Sequence, residues 1–218
     1  MKKVFSRNKK QSFEVGKIVC VGRNYMDHIK ELGHQAEEKP VLFLKPTSAM
    51  ISSGEKVIYP SFSNNLHHEV ELVLLIGKKI TNASLEESSA AIIGYGIGLD
   101  MTLRDLQNQL KDKGNPWTIS KCFDTSAVIS DFVLKEDYDL NFEETILLKV
   151  NGAIRQKETL NKMMFKPDEL VSYISSRMTL EEGDLIYTGT PSGVSGLNKG
   201  DKLEGEIKNV AKIETEIS

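Results

Sequence analysis

Short apolar runs separated by polar turns recur along the chain, and this pattern predicts a protein built mainly from strands. Three such runs lie in the first third of the sequence, at 17–21, 41–46 and 56–60. A longer run at 66–77 is aliphatic on both faces over its second half, which is typical of an interior strand. The run at 92–101 carries Gly94, Gly96 and Gly98, which share one face of a strand. That bare face leaves room for a second backbone or a ligand to approach closely.

Helical spacing is confined to a few short segments. Helices are predicted at 25–33, at 85–91, from a capping box at 102–105 to about residue 111, and at 167–178. The Asn151-Gly152 pair between two apolar segments is the strongest hairpin signal, and a closing hairpin is predicted over 203–217. Because neither a repeat nor a linker is visible, we interpret 17–218 as one β-rich domain that follows an N-terminal extension over 1–16.

The composition narrows the classes of function. The 218 residues are 39% hydrophobic, which is enough for a sizeable core. A formal net charge of −3 argues against a nucleic acid or an anionic membrane as partner. The N-terminal residues lack the apolar run of a signal peptide, so we expect a cytoplasmic protein. Two cysteines, Cys20 and Cys122, are too few for a disulfide framework or a cysteine-rich metal site.

Two acidic residues lie in the first half of the predicted interior strand at 66–77. Glu69 and Glu71 are two positions apart, so they share a face, with about 7 Å between their backbones. If both are buried, either their pKa values rise or a cation lies between them. Oxygen ligands of this kind suit Mg2+, Mn2+ or Ca2+. Asp100, the first polar group at the end of the glycine-bearing strand, is the candidate third ligand. The alternative is a surface strand end with solvated acids.

Other polar residues at suggestive spacing add catalytic candidates. His28 and Glu31 are neighbours on one helix face, where the carboxylate would raise the basicity of the imidazole and create a general base. An exposed ion pair is the alternative. Lys121, on a predicted short extended segment, suits a cluster of acids, although exposed lysines are common.

Further groups are suited to an anionic ligand. Arg104 and Gln107 lie three residues apart on a predicted helix, although two exposed helix residues would look the same. The loop at 189–193, which includes Thr190, offers hydroxyls and backbone amides to a carboxylate, or it is a tight turn. It lacks the Gly-Lys-Ser/Thr ending of a phosphate-binding loop.

Taken in order, these residues resemble the fumarylacetoacetate hydrolase family, and most closely its short branch of acylpyruvases and related oxaloacetate decarboxylase or tautomerase proteins. The resemblance covers about 17–207. It rests on Gly22-Arg23-Asn24-Tyr25 with His28 and Glu31, on His67-His68-Glu69-Val70-Glu71, on Gly98-Leu99-Asp100-Met101-Thr102, on Lys121, and on Thr188-Gly189-Thr190-Pro191. Larger members similar to fumarylacetoacetase carry an extra N-terminal domain, for which there is no room before Val19, and this argues against that substrate.

The resemblance implies an α+β fold, a β-rich mixed-sheet roll with few helices and the active site at one end, usually in a homodimer. It implies that Glu69, Glu71 and Asp100 ligate Mg2+ or Mn2+, with Ca2+ a possible occupant in crystals. His28 and Glu31 would activate water, and Lys121 would lie by the enolate oxygen. The substrate-facing residues would be Arg23, Asn24, Arg104, Gln107 and Thr190. Residues 33–39 would form a lid.

The activity implied is metal-dependent cleavage of C–C bonds in β-dicarbonyl 2-oxo acids. Acylpyruvates would be hydrolysed to pyruvate and an acid, and oxaloacetate would be decarboxylated or tautomerised, through an enolate whose charge the metal stabilises. Two alternatives stay open. One is an isomerase or hydratase of 2-hydroxy-diene-dioates in aromatic catabolism, and the other is a metal-stabilised binding protein without turnover.

Overall fold

The computed structural model describes residues 2–31 and 38–218. In chain order the strands are β1 Lys3–Phe5, β2 Ser12–Glu14, β3 Ile18–Gly22, β4 Val41–Lys45, β5 Met50–Ser52, β6 Leu66–His67, β7 Val70–Ile76, β8 Ile92–Asp100, β9 Thr102–Leu103, β10 Ala127–Ile129, β11 Val133–Leu134, β12 Thr145–Val150, β13 Ala153–Thr159, β14 Leu185–Tyr187, β15 Lys202–Ile207 and β16 Ala211–Glu216. The α-helices are α1 Met26–Glu31, α2 Leu85–Ala91, α3 Arg104–Asp112, α4 Thr118–Lys121 and α5 Pro167–Ser175. Short 3₁₀ helices cover Thr47–Ala49 and Leu160–Lys162.

A mixed sheet forms the centre of the molecule. Its strand order is β4-β3-β14-β7-β8-β10-β5, and β11 also pairs with β8. Strand β14 is parallel to β3 and β10 is parallel to β5, whereas the other neighbours are antiparallel. An antiparallel sheet of order β13-β12-β15-β16 packs beside it. This mixed, β-rich arrangement with few helices confirms the predicted fold class.

Strand β7 is buried at all seven positions because each of its faces packs against a different apolar cluster. Leu72 and Leu74 belong to a cluster shared with β12, β15 and β16. Val73 and Leu75 belong to a second cluster on the opposite face, which includes Phe13 from the N-terminal β1–β2 hairpin. Burial on both faces is the physical reason for the unbroken aliphatic pattern.

The bare face of β8 is filled by the protein's own aromatic rings. A Cβ atom at Gly98 would lie 2.5 Å from Cε1 of Tyr187, and one at Gly96 would lie 3.1 Å from Cε1 of Phe132. The Tyr187 hydroxyl donates to the carbonyl oxygen of Val128 at 2.9 Å, so the ring is fixed in place. The expected close approach is therefore confirmed: aromatic side chains approach Gly96 and Gly98, and the backbone carbonyl oxygen of Val133 would lie 3.1 Å from a Cβ atom at Gly94.

Several local predictions are confirmed. Helix α2 covers the predicted 85–91, α5 begins at Pro167, and β15–β16 form the closing hairpin. Asn151 and Gly152 turn the β12–β13 hairpin with φ angles of 50° and 79°, the positive values that a type I′ turn requires.

The predicted capping box at 102–105 is wrong. Thr102 lies in β9, and its hydroxyl donates to the carbonyl oxygen of Asp100 at 3.2 Å. Helix α3 starts at Arg104, and its N-cap position is Leu103, which makes no side-chain cap. The Asp105 carboxylate instead accepts hydrogen bonds from the 63–64 segment. The Ser63 hydroxyl and the Asn64 amide therefore bind the acid that the local pattern had assigned to the helix end.

Two other expectations need correction. Residues 56–60 do not form a strand, since Val57 makes only an isolated bridge with Ile217. Lys121 is not on an extended segment but ends the short helix α4. The Gly33 helix end and most of the proposed lid at 33–39 lie outside the described residues. Within the described ranges, no helix is long and apolar enough to cross a membrane.

We predict that Gly98→Ala lowers the free energy of unfolding by about 1–3 kcal/mol, because the new methyl group must displace the fixed Tyr187 ring. Urea unfolding curves measure the effect. Gly22→Ala is the matched control, since its Cβ would meet nothing closer than 3.6 Å. Equal stability of the two variants would contradict the packing of β8 described above.

Candidate active site

Three carboxylates converge at one end of the β7–β8 pair. Glu71 lies opposite Gly98 in the antiparallel register. The Asp100 amide donates to the carbonyl oxygen of Glu69 at 2.8 Å, so these two residues also lie opposite each other. Directly opposite residues share a face of the sheet, and the three side chains therefore point to the same side. One oxygen from each lies within 4.8 Å of the others, and all three residues are buried.

The electrostatic environment of the carboxylates fits a cation. Burial, together with the neighbouring Asp100 and Glu69 charges, raises the pKa of Glu71 well above its usual value. Its Oε2 accepts one hydrogen bond, from the Gly189 amide at 2.6 Å. Among the described residues, Oδ1 of Asp100 has no hydrogen-bond partner, although Nζ of Lys45 lies 2.8 Å away outside hydrogen-bonding geometry. Buried carboxylate oxygens that converge on one point are the ligands that a hard divalent ion prefers.

Three buried cations balance the carboxylates. Nζ of Lys121 donates to Glu69 at 2.8 Å and to Asp100 at 2.6 Å. Burial opposes the charged lysine, but these two carboxylates prevail and raise its pKa. Arg104 donates to the other oxygen of Glu69. Although burial alone would raise the pKa of Glu69, Lys121 and Arg104 hold it well below its usual value. The third cation is Lys45, whose side chain is fully buried against Asp100.

His28 is placed beside this cluster by the short helix α1. It is 4% exposed, and its Nδ1 lies 3.2 Å from Oε2 of Glu31. A carboxylate only accepts hydrogen bonds, so a neutral ring carries its proton on Nδ1 and leaves Nε2 as the acceptor. Burial lowers the pKa of His28, against the opposing effects of Glu69 and Glu31, so the imidazole is neutral at pH 7. Glu31 is held in turn by the Gly193 amide at 3.0 Å.

One small cavity brings most of the predicted residues together. Its lining includes Arg23, His28, Glu69, Glu71, Asp100, Arg104, Gln107, Lys111, Lys121 and Thr190. The cavity measures about 30 Å3, which is room for an ion or one or two waters and is smaller than a four-carbon acid. Substrate entry therefore requires movement of lining side chains.

Asn24 and Thr190 take part in the scaffold. The Asn24 amide donates to the carbonyl oxygens of Thr188 and Phe165 at 2.8 and 3.0 Å, and its oxygen accepts from the Phe165 amide at 2.7 Å. The residue is fully buried, so we interpret Asn24 as a positioning residue. The Thr190 hydroxyl donates to the carbonyl oxygen of Val70 at 2.9 Å, although the residue also lines the cavity.

Sequence reasoning missed Gln156, a fully buried residue of β13. Its amide donates to the Thr190 hydroxyl and the Pro191 carbonyl oxygen, both at 2.8 Å. Its oxygen lies 2.9 Å from Nδ1 of His68 and accepts from the Val70 amide at 3.1 Å. This side chain therefore joins the start of the carboxylate-bearing strand to the loop at 189–191. Nothing in an alternating strand sequence marks such a glutamine.

Lys45 and Lys111 were also missed. Lys45 ends an apolar strand, and a cation at the buried end of a strand was an available signal. Lys111 follows Arg104 and Gln107 on the same helix at a spacing that a longer helical projection would have found.

Comparison with known proteins agrees with this geometry. A family model described as fumarylacetoacetate (FAA) hydrolase C-terminal matches residues 17–218. The chain is 42% identical to the bovine mitochondrial oxaloacetate tautomerase FAHD1, covering 97% of this chain and 96% of the relative. It is 44% identical to the Escherichia coli oxaloacetate tautomerase YcgM, covering 88% of each. A fumarylpyruvate hydrolase from Pseudomonas aeruginosa, solved with Mn2+ and pyruvate, superposes with a TM-score of 0.95 at 35% identity, covering 99% and 95% of the two chains.

The carboxylate cluster predicts a stabilising effect of divalent cations. At a concentration about 100 times Kd, Mg2+ or Mn2+ is expected to raise Tm by about 5–10 °C, because binding favours only the folded state. Glu71→Gln removes one ligand charge and should abolish most of this shift. Differential scanning calorimetry measures it, with Glu204→Gln on the exposed face of β15 as the control. An unchanged shift in Glu71→Gln would exclude Glu71 as a ligand.

The same variant has a second expected effect in metal-free protein. The pKa of Glu71 is raised in the folded state, so the protonated form favours folding. This contribution to stability is lost as the pH rises from the ordinary pKa of a carboxyl group, which applies in the unfolded state, through the raised pKa of the folded state. Glutamine does not titrate, so Glu71→Gln in EDTA is expected to be more stable than the wild type near pH 7.

Proposed function

This chain belongs to the fumarylacetoacetate hydrolase family, and we propose that it is a divalent-metal-dependent enzyme acting on C–C bonds of β-dicarbonyl 2-oxo acids. The proposed reactions are hydrolysis of acylpyruvates to pyruvate and an acid, and decarboxylation or keto–enol tautomerisation of oxaloacetate. One observation carries the proposal: three buried carboxylates within 4.8 Å share a cavity with a neutral histidine that a glutamate orients.

Glu69, Glu71 and Asp100 are the residues that would hold the metal. We propose Mg2+ or Mn2+, because hard oxygen ligands favour these ions and because the P. aeruginosa relative was solved with Mn2+. When bound, the cation would supply a Lewis acid for the 2-oxo acid end of the substrate and for enolate charge.

His28 is the proposed general base. Its Nε2 takes a proton from water, and Glu31 stabilises the imidazolium that results. In hydrolysis, the activated water attacks the distal carbonyl, the bond from that carbon to C3 breaks, and its electron pair leaves on the pyruvate enolate. A proton delivered to C3 then gives pyruvate. Arg104 and Gln107 are suited to orienting the substrate carboxylate because both line the same cavity.

We propose that Lys121 stabilises negative charge on the enolate oxygen, which would take the place of one of the three acceptors that Nζ binds now. Its ammonium group already donates to two carboxylates and to the Thr102 hydroxyl at 2.7 Å. Loss of CO2 from oxaloacetate leaves the same enolate as acylpyruvate cleavage, and proton transfer at C3 alone gives tautomerisation. One arrangement of base, ammonium group and carboxylates thus supports all three reactions.

The homodimer and the cytoplasmic location predicted from the sequence remain part of the proposal. The dimer rests on the family resemblance, and a monomeric mass by light scattering would oppose it. The location rests on composition, and fractionation of the source cells tests it.

We expect purified protein with Mg2+ or Mn2+ to turn over acetylpyruvate, oxaloacetate or both, and to lose the activity reversibly in EDTA. Pyruvate release and the ultraviolet absorbance of the enol measure the reactions. A 2-hydroxy-diene-dioate is assayed alongside, because preference for it would favour the isomerase alternative. Tight binding of 2-oxo acids without any product would favour a binding protein, and full activity in metal-free protein would contradict the metal site.

His28→Ala is expected to lower acylpyruvate hydrolysis by at least about 10²-fold, the usual effect of losing a general base. Lys30→Ala, an exposed position on the same helix, is the matched control. A near wild-type rate for His28→Ala would remove the histidine from the mechanism.

The pH profile gives an independent check on the same base. His28 must be neutral to accept a proton, so activity is present above its pKa and falls as pH drops through that pKa. Burial lowers this pKa from 6.5, so the acidic limb should lie below pH 6.5. Glu31 raises the pKa, and Glu31→Gln should therefore move the limb to still lower pH.

A further inference from the structure

We propose that Lys111 is a specificity-determining residue that binds the second carboxylate of a dicarboxylic 2-oxo acid. This inference rests on the proposed function and adds a preference for substrates with two carboxylates over otherwise similar substrates with one.

The first support is the alignment of three polar side chains along one face of helix α3. Arg104, Gln107 and Lys111 are spaced i, i+3 and i+7, so they lie along one helix face. All three line the cavity that contains the carboxylates. Arg104 donates to Glu69 at the metal end, whereas Lys111 stands about 10 Å further along the helix axis. A molecule that extends from the carboxylates along this face meets Arg104 first and Lys111 last.

The second support is the way in which Lys111 and Arg23 are held at the cavity. Nζ of Lys111 lies 5.4 Å from the ring centroid of Trp117, and that ring packs against Phe43 with centroids 5.9 Å apart. Arg23 lines the same cavity and has a φ of 60°, a left-handed conformation that costs a non-glycine residue energy. Such conformations persist where the surrounding structure imposes them, and they concentrate at ligand sites.

The third support is electrostatic. Partial burial, followed by repulsion from Arg104 and Arg23, lowers the pKa of Lys111 to about 8. The side chain is still mostly protonated at pH 7, so Lys111 presents a cation to the cavity. The metal end would bind the 2-oxo acid group, so the carboxylate that reaches Lys111 has to be the substrate's second one.

The test compares Lys111→Met with the wild type on three probes in the presence of Mg2+. Acetylpyruvate carries one carboxylate, whereas oxaloacetate and fumarylpyruvate carry two. A lost charged hydrogen bond is expected to lower kcat/KM about 10- to 100-fold for the dicarboxylates, mainly through KM. The value for acetylpyruvate should stay within about threefold. Lys111→Arg should restore most of the preference, and Lys113→Met, exposed just beyond the helix, is the control.

Each other outcome overturns the inference. Equal losses for acetylpyruvate and the dicarboxylates would give Lys111 a structural role, and no loss would leave it outside the site. If Lys111→Met fails to fold, Lys111→Gln carries the same comparison. If the wild-type protein is active on acetylpyruvate and the Lys111 variants keep its substrate selectivity, this inference is wrong while the proposed function stands. A wild type inactive on all three probes removes the proposed function as well.

Discussion

Mutual repulsion of three buried carboxylates is the constraint on which the rest of the structure depends. Two unit charges 4.8 Å apart repel by about 3–4 kcal/mol at an effective dielectric constant of about 20. Lys121, Arg104 and Lys45 offset this repulsion, and each comes from a different part of the chain. The carboxylates can be held so close only because their strands are among the most completely buried in the described protein, with apolar clusters on both faces of β7.

The arrangement leaves a site that attracts anions once a metal is added. The charges of three carboxylates and three cations balance formally, so a bound divalent ion would give this cluster a net charge of about +2. That charge suits a 2-oxo acid, whose reaction develops further negative charge on oxygen. Arg23 and Lys111 contribute further cationic side chains to the lining of the same cavity.

The groups around the carboxylates fix their geometry through the backbone. Gln156 links the start of β7 to the loop at 189–191, and Asn24 links the turn after β3 to Thr188 and Phe165. The Gly189 amide holds Glu71, and the Gly193 amide holds Glu31. One loop therefore contacts both Glu71, a proposed metal ligand, and the carboxylate that orients the base, so the same piece of chain positions the two parts of the site.

The sequence by itself determined the features that depend on short-range periodicity. The aliphatic run identified β7 as interior, the two-residue spacing placed Glu69 and Glu71 on one face, and Asn151-Gly152 specified a hairpin. Only the tertiary structure decided which distant groups meet them. The register of β7 against β8 sets Asp100 opposite Glu69, and long-range packing brings Lys45 to Asp100 and Gln156 to Val70. Long-range packing also brings the Ser63 hydroxyl and the Asn64 amide to Asp105, which does not form the predicted helix cap. A local pattern reports the face on which a side chain lies, but partners tens of residues apart leave no periodic trace, because their meeting depends on how whole strands and loops pack.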